Sequence, residues 1–207
     1  MIQDLNEVQK YCLNLADKES DIIFKRQFLM LKPGVSNDSI EKLRRNNIFI
    51  HQGYLDIIKE YQLNGVILFC FEFSPSSFRD DNTVEGIITS LTNPFFPKDF
   101  MEKHRMYQIG SYNTDLICIT SGTDQFHDGE ILFVEEGKDI YNPQDSQIHP
   151  LAKDFEEFLL VVANADELMG EILQDDSNYK GKKEEFFNRM NLLNVDKKYQ
   201  TFWGEFF

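Results

Sequence analysis

Two short apolar runs, Leu116-Ile117-Cys118-Ile119 and Ile131-Leu132-Phe133-Val134, sit either side of a segment rich in Gly, Ser, Thr and Asp. Nothing else in the chain constrains its fold as strongly. Runs of four β-favouring residues bounded by turn formers read as buried strands, and Ser121-Gly122-Thr123-Asp124 with Asp128-Gly129 reads as their hairpin connection. Tyr107-Gln-Ile-Gly110 precedes them. The stretch from Tyr107 to Val134 is therefore expected to form the centre of a sheet, with helices before and after it. Val66 to Phe73 (VILFCFEF) is the most continuous apolar run. It predicts one further strand, buried on both faces. Gly86 to Leu91 suggests another short strand.

Helices are predicted from spacing of three and four. Leu5, Val8, Cys12 and Leu15 share one face of a first helix over residues 4–15. The segment Asp21 to Leu31 fits either a helix or a strand and ends at Pro33-Gly34. A further helix starts near Ser36, Asn37 or Asp38, where Asp38 and Glu41 have capping-box spacing. Tyr54, Ile57, Ile58 and Tyr61 form a stripe on the next, and Asn64-Gly65 stops it. Lys98 to Lys103 fits a helical turn. His149-Pro150 is expected to open a long helix with Leu151, Phe155, Phe158, Leu159 and Val162 on its apolar face. After Gly170 the composition turns polar, and two more helices follow over 184–193 and 196–206. The last carries Tyr199, Phe202, Trp203 and Phe206 on one face. Such a stripe is either docked on its own domain or offered to a partner.

This pattern predicts an α+β fold with a mixed, mainly antiparallel sheet, helices packed on one side, and a C-terminal helical extension. Residues 1–169 form the domain and 170–207 the extension. The 207 residues carry 35 acidic and 21 basic side chains, for a net charge of −14. That balance disfavours nucleic acid, which needs Lys and Arg against its phosphates, and anionic membrane surfaces. It suits a basic protein partner. No signal peptide or membrane-spanning run is legible, and three widely spaced cysteines fit buried free thiols in the cytoplasm.

Chemistry-bearing motifs are sparse. His51, His104, His127 and His149 show no metal-ligand spacing, and no Cys-x-x-Cys occurs, so no metal or cofactor is expected. His127-Asp128 has the residue types of half a catalytic pair, but a solvated turn accounts for it more simply. Adjacent carboxylates such as Glu156-Glu157 point apart on a helix and read as surface charge. Ser121-Gly122-Thr123 lacks the lysine and following helix of a phosphate loop.

Four blocks carry a family resemblance: Lys32-Pro-Gly-Val-Ser with the tyrosine-bearing segment Tyr54 to Tyr61 and Asn64-Gly65; Tyr107-Gln-Ile-Gly110 with Asp115 to Ile119; Gly129-Glu130-Ile131; and Ile148 to Leu159. In order and spacing, over roughly residues 30–168, the chain resembles the SMI1/KNR4 domain of the SUKH superfamily. His51-Gln52-Gly53 stands where that family has Leu-Pro. The resemblance implies an α+β fold, no enzymatic activity, and the role of an immunity protein that binds and neutralises a cognate toxin. An acidic protein of this kind suits a basic, nuclease-type toxin. Charge and loop placement then nominate Asp80, Asp81 and Glu85, with Asp124 and Asp128 at the hairpin tip, as the partner-binding residues. The alternative is a scaffold or regulatory module that uses its aromatic last helix.

Overall fold

The computed structural model describes residues 1–75, 83–92, 94–137, 141–174 and 179–206. In chain order its elements are α1 (Leu5–Lys18), α2 (Ile22–Arg26), α3 (Asn37–Arg45), α4 (Gln52–Glu60), β1 (Ile67–Leu68), β2 (Phe71–Glu72), α5 (Thr83–Thr92), α6 (Lys98–Lys103), β3 (Met106–Tyr112), β4 (Asp115–Ser121), β5 (Asp128–Val134), a 3-10 turn (Asp145–Gln147), β6 (Ile148–Ala152), α7 (Phe155–Gln174), α8 (Tyr179–Leu192) and α9 (Lys197–Trp203). The fold is α+β, as expected. The six described strands follow each other in space as in sequence, β1 to β6, and every pairing is antiparallel rather than mixed.

The central pair is the one the sequence marks. β4 and β5 run opposite each other with Leu116 facing Val134 and Ile119 facing Ile131. Side chains alternate across a sheet, and here both faces are covered. Ile117, Ile119, Ile131 and Phe133 join the main core with α4, α7 and α9. Leu116, Cys118, Leu132 and Val134 join a second core closed by Phe96, Phe100, Met101 and Phe126. The helices are thus not all on one side, because α6 covers part of the second face.

Several expectations change. The apolar run Val66 to Phe73 is not one strand but a tight hairpin, β1 and β2, turning at Phe69 and Cys70. Both turn residues have positive φ, +48° and +64°. Two-residue hairpin loops need that conformation and usually take Asn-Gly for it. Here tertiary contacts hold it. Asp166 of α7 accepts the Phe69 N–H at 2.5 Å and the Tyr11 hydroxyl of α1 at 2.7 Å. The turn also leaves the Cys70 thiol exposed, unlike the buried Cys12 and Cys118.

The segment Gly86 to Leu91 lies in α5, not in a strand. Val84, Ile87, Ile88 and Leu91 are spaced to meet the main core along one helical face, and that packing overrides the β-branched composition. His149-Pro150 does not start a helix. It lies in β6, where Pro150 pairs with Leu132 on the last strand of the sheet. Proline is tolerated there because an edge strand has no outer neighbour to receive its missing N–H. The long helix begins at Phe155, after Asp154, whose carboxylate accepts the Glu157 N–H at 2.8 Å. The cap of α3 is Ser36, bonded to the Ser39 N–H, rather than Asp38.

The break anticipated at residue 170 falls inside α7. Beyond it, α8 lies along α7 and α9 crosses β6. Arg189 of α8 reaches Glu167 and Asn164 of α7. Trp203 of α9 is fully buried, donates its indole N–H to the Leu151 carbonyl at 3.0 Å, and sits among Phe71, Phe158, Phe186 and Phe206. The aromatic stripe is docked, so it is not a surface offered to a partner.

Trp203→Ala should cost about 3–5 kcal/mol by loss of buried area and cavity formation. Leu192→Ala, at a position 68% exposed, should stay within about 0.5 kcal/mol of wild type. Urea unfolding of the two variants checks this. A second expectation concerns Asp166. Burial raises its pKa above the ordinary carboxylate range, against the lowering effect of the Tyr11 and Phe69 hydrogen bonds. A folded-state pKa above the unfolded one means that the folded state binds the proton more tightly. Ionised Asp166 therefore costs stability above its folded pKa, and the cost fades as pH falls through that value towards the unfolded one. The stability of Asp166→Asn relative to wild type should accordingly be higher at pH 7 than at pH 4, read by urea unfolding at both.

Candidate functional site

The sheet's second face is only partly covered, and the uncovered part is a cleft of about 660 Å³. Its floor is Met106 and Gln108 of β3 with Leu116 of β4. Its walls are the α3–α4 connection (Asn46 to Phe49), the end of α5 (Ile88, Leu91) and α6 with the segment before it (Phe95, Lys98, Met101). Two aromatic rings stand at its margin largely in solvent: Phe49 is 64% exposed and Phe95 45%.

Local sequence forces both rings outward. Ile48 and Ile50 are buried, and in an extended segment the residue between two inward side chains points the other way. Pro94 and Pro97 bracket Phe95-Phe96. Phe96 is buried in the second core while Phe95 packs edge-on against it at 5.6 Å and stays outside. A cleft of mixed lining, with two exposed aromatic rings at its margin, is a surface that gains from being covered.

The cleft has charged ends. Lys98 and Glu102 face each other at 3.5 Å across one turn of α6. Arg105, with φ +47°, reaches the Gly122 carbonyl at 3.4 Å, tying the loop between β4 and β5 to the cleft. That loop carries Asp124 and Asp128, both exposed, and Asp128 stands opposite Ser121, which lines the cleft. These two nominated residues thus lie on the loop next to the cleft and do not line it. Glu85 lies on α5 one turn before Ile88, outside the cleft lining, and pairs with Lys42 of α3. Asp80 and Asp81 lie outside the described residues.

The histidines have other work. His51 caps α4, its Nδ1 accepting the Gly53 N–H at 3.2 Å. Its ring lies so close over Gly129 that a Cβ there would sit 2.7 Å from it, which a residue at φ +90° must avoid. His104, buried, contacts Asp145 at 3.0 Å, and the adjacent Lys103 ammonium and His104 lower that carboxyl's pKa. His149 stacks flat on Phe202 at 4.3 Å. His127 pairs with Glu130 at 2.9 Å, not with Asp128.

Glu130 is the deepest carboxylate of the sheet. It is buried, held by Lys198 at 2.8 Å and by the His127 backbone N–H at 3.0 Å, and it pins α9 to β5. Burial, and then the neighbouring Glu130 carboxylate, raise the pKa of the Tyr199 phenol strongly. Glu157 is also buried, bonded to the Lys153 N–H at 3.0 Å, which corrects the reading of every carboxylate pair as surface charge.

Among the described residues no group of three or more His, Cys, Asp or Glu is placed to hold a metal ion, and no helix is long and apolar enough to cross a membrane. Compared with known proteins, no family model, no curated protein and no solved structure matches the chain.

The sequence reading missed Phe49, Phe95, Met106 and Gln108. The first two had a signal: a Phe between two buried Ile, and a Phe pair between prolines.

If the two rings lie free at the cleft, Phe49→Ser and Phe95→Ser should each change stability by less than about 1 kcal/mol. Both should lower the fluorescence of an apolar dye such as ANS bound to the folded protein. Dye titration beside thermal unfolding checks the pair.

Proposed function

We propose that this protein is a cytoplasmic, non-enzymatic binding protein of the immunity type, which neutralises a cognate toxin by stoichiometric association. The observation that carries the reading is the open, aromatic-margined cleft with exposed Asp124 and Asp128 beside it, on a chain of net charge −14. Interfaces are anchored by aromatic residues in such hollows, while charge around them steers the partner and sets its sign. The partner would be basic, as a domain that grips nucleic acid is. The resemblance to the SMI1/KNR4 domain supports the reading; its blocks lie before α3, on α4 and the turn after it, on β3 to β5, and across β6 and the start of α7.

A scaffold that binds through its last helix has less support, because Tyr199, Phe202 and Trp203 are buried against the sheet and α7.

The experiment is co-expression with the protein encoded beside this gene. Survival of the cells with a one-to-one complex is the expected result. Death of the cells with no complex would overturn the reading. If the acidic loop steers the association, raising salt from 0.05 M to 0.5 M should slow it at least about tenfold, since exposed charges are screened beyond about 8 Å at physiological ionic strength. Asp124→Lys with Asp128→Lys should lower the association rate similarly at low salt.

A further inference from the structure

The lining of the cleft differs in sign from the chain as a whole. The protein carries 35 acidic and 21 basic side chains, yet the charged residues that line the cleft are Lys98, Arg105 and a single carboxylate, Glu102. Lys98 and Glu102 pair at 3.5 Å, with side chains 71% and 66% exposed. An ion pair so open to water holds weakly, so Lys98 can turn to an incoming anion at little cost. Arg105 is exposed, and no described carboxylate pairs with it. Its guanidinium reaches the Gly122 carbonyl at 3.4 Å, a long bond, and that contact uses one of five donors. One positive charge is left uncancelled beside apolar side chains. The acids that would steer a basic partner, Asp124 and Asp128, lie outside this lining.

We infer that the cleft is a binding site for a small aromatic carboxylate, whose charged end meets Arg105 and whose ring lies against Phe49, Leu91, Phe95 and Met101. The volume of about 660 Å³ suits a small molecule, and so does a largely apolar hollow with a few polar groups. A guanidinium presents two parallel N–H donors to a carboxylate, a geometry that selects the planar anion. Charge also limits the size of the ligand. A net charge of −14 repels an acidic protein or a nucleic acid over its whole approach. A small anion meets only the field inside the cleft, because charges beyond about 8 Å are screened at physiological ionic strength. Asn47 and Gln108 line the same space, and their side-chain amides bond no described residue. They are placed to meet a second polar group on the ligand. The inference goes beyond the neutralisation proposed above and does not require it.

The test titrates the full chain at pH 7 with N-acetyltryptophan, an aromatic carboxylate, and with its neutral isostere N-acetyltryptophanamide, read by calorimetry or ligand-observed NMR. The carboxylate should saturate one site with a Kd of about 1 mM or tighter, and the amide should bind at least about tenfold more weakly. Arg105→Gln should weaken the carboxylate at least about tenfold and the amide less than about twofold, with thermal unfolding nearly unchanged. Phe95→Ser should weaken both ligands alike, since ring contact does not sense the charge. If Arg105→Gln fails to fold, the two ligands on the wild-type chain and on Phe95→Ser decide. Overturning results are no saturable binding of the carboxylate up to about 10 mM, an amide that binds as tightly, or a folded Arg105→Gln variant that binds the carboxylate like wild type. Toxin association that falls with Arg105→Gln while the carboxylate fails to bind would give the cleft to the protein partner and overturn the ligand. Cell survival in co-expression beside a failed titration sinks this inference alone. Charge-selective binding beside failed co-expression upholds it and sinks neutralisation alone.

Discussion

The constraint on which everything else depends is burial of β4 and β5 on both faces. Eight side chains, Leu116 to Ile119 and Ile131 to Val134, alternate between two cores. Each contributes on the order of 1.5–3 kcal/mol when removed from water. A sheet buried on one side needs a single layer of helices. This one needs a second cover, and it has one made of α6, Phe96 and Phe126 that does not extend across the whole face. The cleft is where that cover stops.

The other end of the chain closes the first face. Trp203 and Phe206 sit on Phe71 at 5.7 and 5.5 Å, so the last helix holds down the short β1–β2 hairpin as well as β6. The hairpin's left-handed Phe69-Cys70 turn is held in turn by Asp166. Buried Glu130 and half-exposed Lys198 add an ion pair between sheet and helix. Removing Lys198 would leave the buried carboxylate without its cation, which is where the cost lies. These contacts tie the terminal helices to the sheet, so the C-terminal segment is part of what makes the second face a stable platform.

Much of this was legible in the sequence. The β4–β5 pair follows from its two continuous apolar runs, and α1, α3, α4 and the aromatic stripe of α9 from helical spacing of apolar residues; that the stripe is docked on its own domain does not. The failures share a cause. At Phe69-Cys70 no Gly or Asn marks the turn, since a carboxylate 97 residues away supplies the support. At Pro150 the same residue suits a helix start and an edge strand, and only the pairing with Leu132 distinguishes them. In α5 the β-branched composition suggested a strand, although Val84, Ile87, Ile88 and Leu91 already had helical spacing. The cleft was the least legible part, because it is defined by where the second cover of the sheet stops. Exposed Asp124 and Asp128 were nominated from charge; the cleft floor of Met106 and Gln108 has no sequence signature.

The account makes the second face of the sheet the working face and the first its support. Hydrogen–deuterium exchange of the chain alone and in complex with the protein encoded beside its gene tests this most directly. Protection on binding should concentrate at Asn46 to Phe49, at Met106 and Gln108, and in the loop carrying Asp124 and Asp128. Protection confined to α8 and α9, with those three segments exchanging as before, would contradict it.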